Sequence, residues 1–180
     1  MRAAMEGAPG PRGGARVAVL VAPPDAEVLW CGGLLLARPD WRVFVGCLCR
    51  GSDPDRAPKF FRVLERLGAE GAMADLDDGP EQSPLPPEAV EATLLSLAPP
   101  GPWDLVLTHG TRGEYTRHRR HEEVSAAAGA LLHEGRMSCR ELWRFAYEDA
   151  CGARLPRAES GARVRFPLPQ ELWAAKAALV

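Results

Sequence analysis

The chain has 180 residues, 26% of them charged, and a formal net charge of -2 at pH 7. This length is that of one ordinary domain, and the nearly balanced charge gives no electrostatic basis for binding nucleic acid or an anionic membrane. A small-molecule or protein partner is therefore expected. The odd count of five cysteines argues against a disulfide framework and indicates a cytoplasmic location.

The amino-terminal part of the sequence separates into a polar leader and a first strand. Residues 1–15 are rich in Gly, Ala, Pro and Arg, so we expect a disordered leader followed by a single domain over residues 16–180. The apolar run Val17–Ala22 is too short for a secretory or membrane-spanning segment. Its unbroken apolar character predicts a strand buried on both faces. Asp25–Leu36 is predicted as a helix, with Asp25 as its N-cap.

The rest of the chain alternates between predicted strands and helices. Further strands are predicted at Trp41–Leu48, Met73–Leu76 and Asp104–Leu107. Helices are predicted around Phe60 to Leu67, at Glu88–Leu97, at Glu122–Leu132 and at Leu168–Val180, with loops at Arg50–Pro58 and Asp77–Pro87. This alternation predicts a Rossmann-like α/β fold, a doubly wound and mostly parallel sheet with helices on both faces.

Three polar residues follow predicted strand ends. In doubly wound sheets, ligands bind in the crevice beyond the carboxyl ends of the strands. Asp25, Arg50 and His109 each follow such an end, so we expect them to converge on one cleft. Arg50 and His109 are candidate substrate-binding residues, and a structural hydrogen-bonding role is the alternative for His109.

Four segments carry a resemblance to a known family. They are Val19–Gly33 (VLVAPPDAEVLWCGG), Leu48–Phe60, Thr108–His121 (with GEY and then HRRH) and Leu168–Val180. The chain resembles the PIG-L/LmbE-like family of zinc-dependent de-N-acetylases. In that family an apolar strand runs into Ala-His-Pro-Asp-Asp-Glu, and a later Gly-Glu-Tyr element leads into His-x-x-His. The resemblance implies the Rossmann-like fold and hydrolysis of an N-acetyl amide.

The resemblance also implies roles for particular residues. It makes Asp25 the general base, His118 the catalytic acid or electrophilic histidine, and His121 a zinc ligand. The other two ligands of the family, a His and an Asp, fall on Pro23 and Ala26, which have no side-chain donor. A metal would then need improvised donors, and the candidates by position are Asp25, Glu27, Cys31 and His109. Zinc, the cofactor of the family, is therefore doubtful in this chain.

Three functional hypotheses follow. The first is a degenerate family member that binds zinc poorly and has weak or no deacetylase activity. The second is an active deacetylase of an N-acetylated amino sugar or similar small molecule, with a rearranged metal site. The third is a binding or assembly module without catalysis, in which Trp30 partly fills the cleft. The oligomeric state is left open.

Several of these residues also have plainer interpretations. Asp25 as a simple helix cap is one, and a solvated basic face around His118 and His121 is another. We expect a basic patch to be solvated surface, with phosphate or carboxylate binding as the alternative; it consists of Arg112, Arg117, Arg119 and Arg120. The family continues past the helix that Leu168–Val180 resembles, so the domain is expected to be shortened at its carboxyl end.

Overall fold

A five-stranded parallel sheet forms the centre of the molecule. The structure is a computed structural model and describes residues 7–115 and 117–180. The strands are β1 (Arg16–Val21), β2 (Arg42–Cys49), β3 (Glu70–Leu76), β4 (Trp103–Thr108) and β5 (Cys139–Arg144). They lie in the order β3-β2-β1-β4-β5, and every neighbouring pair is parallel. This order confirms the predicted doubly wound α/β fold.

Helices cover both faces of the sheet. A π-helical turn at Glu27–Cys31 leads into α1 (Gly32–Ala37), and the other helices are α2 (Arg56–Leu67), α3 (Pro87–Leu97), α4 (Arg119–His133) and α5 (Gln170–Ala177). Residues of α1 and α2 share one buried cluster with one face of the sheet, and α5 packs on α1. Helices α3 and α4 pack together on the opposite face. A short antiparallel pair, β6 (Tyr147–Glu148) and β7 (Arg157–Ala158), follows β5.

The central strand β1 shows why the sequence forms this sheet. Val17, Val19 and Val21 belong to the cluster on one face, whereas Ala18 and Leu20 belong to the cluster on the other. All five side chains have no exposed surface. A strand covered on both faces needs apolar residues at every position, which is the pattern that the sequence shows. Burial of β1 therefore anchors the two halves of the fold around one strand.

The first helix begins differently from the prediction. Asp25 has a φ of +105°, and no side chain caps the helix start, so the predicted Asp25 N-cap is wrong. Instead, the Glu27 carboxylate accepts a hydrogen bond from the Asp25 amide at 3.1 Å. The chain then winds as a π-helical turn before α1. The next helix also differs, because α2 starts at Arg56, inside the predicted loop.

Strand β5 was not predicted. Its sequence, CRELWR, mixes charged and apolar residues, and its side chains are exposed or half-buried. It lies at the edge of the sheet beside β4, so a single neighbour satisfies its pairing. An edge strand does not need a continuous apolar pattern, and this explains why periodicity missed it.

The described part of the predicted leader makes specific contacts with the domain. Of the predicted leader, residues 1–6 lie outside the described residues. Farther along, the Arg38 guanidinium donates to the carbonyl oxygens of Ala8, Pro9 and Pro11, and the Trp41 indole also donates to Pro11. The disordered leader and the shortened carboxyl end stay predictions.

No helix in the described part of the chain combines the length and the apolar character that crossing a membrane requires.

Candidate functional site

The two motifs meet where the strand order of the sheet reverses. Strand β1 pairs with β2 on one side and with β4 on the other, so the loops after β1 and β4 diverge at this point. Two hydrogen bonds join these strand ends. The Thr108 hydroxyl donates to the Leu20 carbonyl at 2.8 Å, and the Ala22 amide donates to Nε2 of His109 at 3.2 Å. This crevice is where ligands bind in doubly wound sheets.

A His-Glu-His cluster lies at the bottom of this crevice. It consists of His109, Glu114 and His121, and one donor atom from each lies within 4.8 Å of the others. The Glu114 carboxylate is 2.5 Å from Nδ1 of His121 and 3.2 Å from Nδ1 of His109. The amide of Gly110 also donates to it at 2.7 Å. One carboxylate therefore receives hydrogen bonds from two imidazoles and the backbone.

Glu114 was missed as a site residue by the sequence analysis. Its side chain has no exposed surface. Burial alone would raise its pKa, but the hydrogen bonds from His109 and His121 outweigh that effect and lower the pKa to about 2. The residue is therefore an ionised carboxylate at neutral pH. The signal for it was present as the middle residue of the Gly-Glu-Tyr element, which served only as a landmark.

The hydrogen bonds of His109 fix its protonation. The residue has no exposed surface, and burial lowers its pKa to about 4. The ring is neutral at pH 7, and because Nε2 accepts the Ala22 amide, the proton is on Nδ1 and faces Glu114. Both ring nitrogens are thus engaged within the protein. These contacts support the structural alternative for His109 over substrate binding.

The rings of His109, His121 and His118 form a stack. The ring of His121 lies 3.8 Å from that of His109 and 4.8 Å from that of His118, measured between centroids. Nδ1 of His121 faces Glu114, so Nε2 is the ring nitrogen directed away from this carboxylate, as is common in metal-binding histidines. His118 lies nearer the surface, with Nε2 3.0 Å from the Gln82 amide nitrogen and 3.5 Å from Asp78. Burial, together with the charge of His121, lowers the pKa of His118.

Asp25 faces a different part of the cleft. Its carboxylate is about half exposed and pairs with Arg56 at 3.3 Å. Burial raises its pKa, although the Arg56 charge opposes that effect. It lines a cavity of about 660 Å³ together with Glu27 and the basic side of α2. Within the described ranges, Asp25 has no hydrogen bond to either histidine of the second motif.

Arg50 is tied to the loop between β3 and α3. Its guanidinium donates to the Asp78 carboxylate at 3.1 Å and to the Asp78 carbonyl at 2.9 Å, and its side chain is 42% exposed. Asp78 in turn approaches His118, so it links the loop after β2 to the second motif. Arg50 thus holds the loop that carries Asp78 and Gln82 close to the end of β2.

The predicted basic patch is divided between surface and core. Arg112, Arg117 and Arg119 are exposed, but Arg120 is 1% exposed, so its assignment to a solvated surface is wrong. Arg120 donates to the carbonyl oxygens of Asp77 (2.5 Å) and Ser83 (2.6 Å) and to the Glu123 carboxylate. A buried guanidinium needs such partners. Arg120 therefore fastens the loop between β3 and α3 to α4.

Trp30 packs beside His121, the residue that the resemblance makes a zinc ligand. It lies in the π-helical turn and is edge-on to Tyr115 at 5.3 Å and to His121 at 6.4 Å between ring centroids. Ala26, one of the two positions that the resemblance leaves without a ligand, is buried in the same apolar cluster as Trp30.

The four residues considered as substitute metal ligands, Asp25, Glu27, Cys31 and His109, are in states or contacts that disfavour metal binding. Burial raises the pKa of Glu27 to about 7, and the carboxylate accepts the Asp25 amide. Burial raises the pKa of the Cys31 thiol well above its usual range, so the metal-binding thiolate is disfavoured. Asp25 pairs with Arg56, and His109 uses both nitrogens.

The His-Glu-His cluster has the spacing of hydrogen bonds. Zinc lies about 2.0 to 2.2 Å from nitrogen and oxygen ligands, so neighbouring ligands of a tetrahedral site are about 3.3 Å apart. The 2.5 Å between Glu114 and His121 is shorter than this separation. Nδ1 of His109 and Nδ1 of His121 are both directed at the Glu114 carboxylate, and the contact between Glu114 and His121 leaves no gap for an ion.

Comparisons with known proteins give a partial structural likeness. No protein-family model and no curated protein matches the sequence. One similar solved structure is GalB, the 4-carboxy-2-hydroxymuconate hydratase from Pseudomonas putida KT2440, with 18% identity and a TM-score of 0.48 over 64% of this chain and 55% of that one. Another is the N,N'-diacetylchitobiose deacetylase from Pyrococcus horikoshii with its inhibitor MPG, with 17% identity and a TM-score of 0.48 over 63% of this chain and 48% of that one. The match spans about half the length of each.

Proposed function

We propose that the chain is a PIG-L/LmbE-like domain that has lost the zinc site of the family, and with it efficient amide hydrolysis, and that keeps the cleft as a binding site. Its ligand would be an N-acylated small molecule such as an amino sugar, in the cytoplasm. Support for the family comes from the two motifs together with their position. Both follow adjacent strand ends at the reversal of the strand order.

One observation carries the proposal: the side chains at this site that could bind a metal are hydrogen-bonded to one another. Glu114 joins His109 and His121 in hydrogen bonds, and two ligand positions of the family hold Pro23 and Ala26. Disturbing even an outer partner of a metal ligand typically costs about 10- to 100-fold in affinity or activity. The loss of two direct ligands is a larger change, so we expect little zinc to bind.

Hydrolysis without zinc would be slow. Zinc polarises the amide carbonyl and lowers the pKa of a bound water, and neither effect is available from the side chains in this cleft. Asp25 and His118 remain as an acid-base pair by resemblance, but such catalysis typically contributes only about 10² to 10⁴ in rate. The two residues also make separate contacts, with Arg56 and with Gln82. Their proposed role is therefore to contact the ligand, together with Arg50.

A second candidate function is an active deacetylase with a rearranged site. It is favoured by the proximity of three residues of metal-binding type, His109, Glu114 and His121. For this cluster to hold zinc, the hydrogen bonds inside it would have to open. In that case Glu114 would be a direct ligand, and its replacement by Gln would abolish activity.

A restoring substitution separates the two functions. We expect the native chain, assayed with added zinc and N-acetylglucosamine, to release no more acetate than the His121→Ala variant. The double substitution Pro23→His with Ala26→Asp returns both family ligands and is expected to create zinc-dependent acetate release. Adding His121→Ala to that double variant is the matched control and should abolish the gain.

Each other outcome rejects part of the proposal. Zinc-dependent turnover by the native chain that disappears in Glu114→Gln would favour the rearranged site. A folded double variant that gains neither zinc nor activity would show that Pro23 and Ala26 are not the ligand positions, and the family proposal would fail.

A further inference from the structure

A second cavity, away from Asp25, has several aromatic side chains in its wall. It measures about 670 Å³ and lies between α1, the end of β5, the segment after β7 and α5. Five aromatic side chains line it, namely Trp30, Trp143, Phe145, Tyr147 and Phe166. This volume lies within the range of about 300 to 1,000 Å³ typical of small-molecule sites. Aromatic walls of this kind favour a planar ligand that can stack against them.

The cavity borders the His-Glu-His cluster but is separate from it. Phe145 packs edge-on against His109 at 5.6 Å, and Trp30 packs edge-on against His121 at 6.4 Å. These two rings form the partition, with the cavity on one side and the histidines on the other. A ligand in the cavity would therefore not need the zinc site, and this inference is independent of the proposed function.

Trp30 contributes the carbons of its ring to the cavity wall, because its indole Nε1 is buried out of reach of the cavity. The neighbouring Tyr147 hydroxyl donates to the Trp30 carbonyl at 3.1 Å, and this hydrogen bond joins two of the aromatic side chains of the wall.

The charged side chains of the lining favour an anion. Lys176 is half-buried, and its ammonium donates to the Leu29 carbonyl at 2.7 Å. Neither Lys176 nor Arg163 has an ion pair within residues 7–115 and 117–180. The lining carries three cations, Arg144, Arg163 and Lys176, against two carboxylates, Glu141 and Glu159, and Glu141 accepts the Trp143 indole at 2.8 Å. An ammonium of this kind, without a carboxylate partner at an apolar wall, attracts a negatively charged group.

We propose that this cavity binds a planar aromatic carboxylate, with its ring against the aromatic side chains and its carboxylate directed to Lys176. The contact with Lys176 does not require a paired charge to rearrange. The aromatic walls provide the stacking area, and the ammonium selects the anion over a neutral analogue.

Calorimetric titration with 2-naphthoate tests the site, with 2-naphthamide as the neutral analogue of the same shape. We expect 2-naphthoate to bind with a dissociation constant on the order of 1 mM or tighter, as is usual for an efficient ligand of this size. Lys176→Met should weaken binding about fivefold.

Two further variants locate the binding. Ala162→Trp places a large side chain in the cavity at a half-buried position and is expected to abolish binding. Arg136→Met removes an exposed cation that follows α4, outside this cavity, and should leave the affinity unchanged. All variants are first checked for native circular dichroism and thermal unfolding.

Three results would overturn the inference. Absence of binding at 2-naphthoate concentrations well above the expected dissociation constant would reject the site altogether. Equal affinity for 2-naphthamide would reject the role of the anion. Undiminished binding by a folded Ala162→Trp variant would show that the ligand binds elsewhere. None of these measurements depends on zinc or on acetate release.

Discussion

Replacing Glu114 by Gln tests the hydrogen-bond cluster most sharply among single substitutions. The carboxylate accepts from Nδ1 of His109, from Nδ1 of His121 and from the amide of Gly110. A glutamine of the same shape has one oxygen and one NH₂ group, so at least one donor would face another donor in a buried space. The substitution therefore removes the charge and leaves a buried polar group unsatisfied.

The size of the effect follows from the pKa of this group. The folded-state value is about 2, against 4.5 for a free glutamate, so the interactions stabilise the ionised form by roughly 3 kcal/mol at 1.36 kcal/mol per unit. We expect Glu114→Gln to lower the free energy of unfolding by about 3 kcal/mol at pH 7. For a domain of this size that loss corresponds to roughly 6 to 12 °C in Tm.

The pH dependence has a definite sign. Because the folded pKa is depressed, the stabilisation is fully present above about pH 4.5 and is lost as the pH falls toward 2. Urea unfolding followed by tryptophan fluorescence should show a difference between native and variant that shrinks over that range. Glu81→Gln, at an exposed loop position, is the control and should stay within about 0.5 kcal/mol of the native chain. A loss under 1 kcal/mol at pH 7, or one that is the same at pH 7 and pH 2.5, would refute the reasoning.

Three further substitutions test other parts of the fold. His109 has a folded pKa of about 4 against 6.5 when free, so between these pH values the unfolded chain binds one more proton and stability falls as the pH falls. His109→Gln should flatten this slope by up to about 1.4 kcal/mol per pH unit in urea unfolding. An unchanged slope would contradict the neutral state of His109. Arg120→Met leaves the Glu123 carboxylate without its cation, although the Leu85 amide still donates to it. The substitution should cost about 3 to 5 kcal/mol in thermal unfolding and should speed proteolysis of residues 77–87. A Tm within about 2 °C of native would contradict this anchoring role. Gly71→Ala would place a methyl carbon 2.5 Å from the Val45 carbonyl oxygen of β2. We therefore expect the free energy of unfolding to fall by about 1 to 3 kcal/mol in thermal unfolding. An unaltered Tm would contradict the close approach of β2 and β3.

The central strands of this fold could be predicted from sequence because their environment is uniform. Strand β1 is buried on both faces, so every position from Val17 to Val21 is apolar and the pattern is unambiguous. Strand β5 lies at the sheet edge and carries charged residues, so the same criterion fails there. The expectation that Asp25, Arg50 and His109 converge on one cleft followed from their positions after predicted parallel strands, and it stays a prediction.

The details of the site needed coordinates because they depend on which donors face each other. The sequence placed His109 and His121 near the cleft, but it did not show that Glu114 joins them. Nor did it show that Arg120 turns inward while its neighbours stay exposed, since that depends on carbonyl groups of a loop more than thirty residues away. The roles of Asp25, Arg50 and His118 remain proposals.

Zinc content is the measurement that tests the central claim most directly. The native chain, the Pro23→His with Ala26→Asp variant, and that variant with His121→Ala would each be saturated with zinc, dialysed and analysed by mass spectrometry for bound metal. The loss of two ligands predicts far less than one zinc per native chain, close to one in the restored variant, and a return to the native level when His121 is removed. One tightly held zinc per native chain would contradict the account.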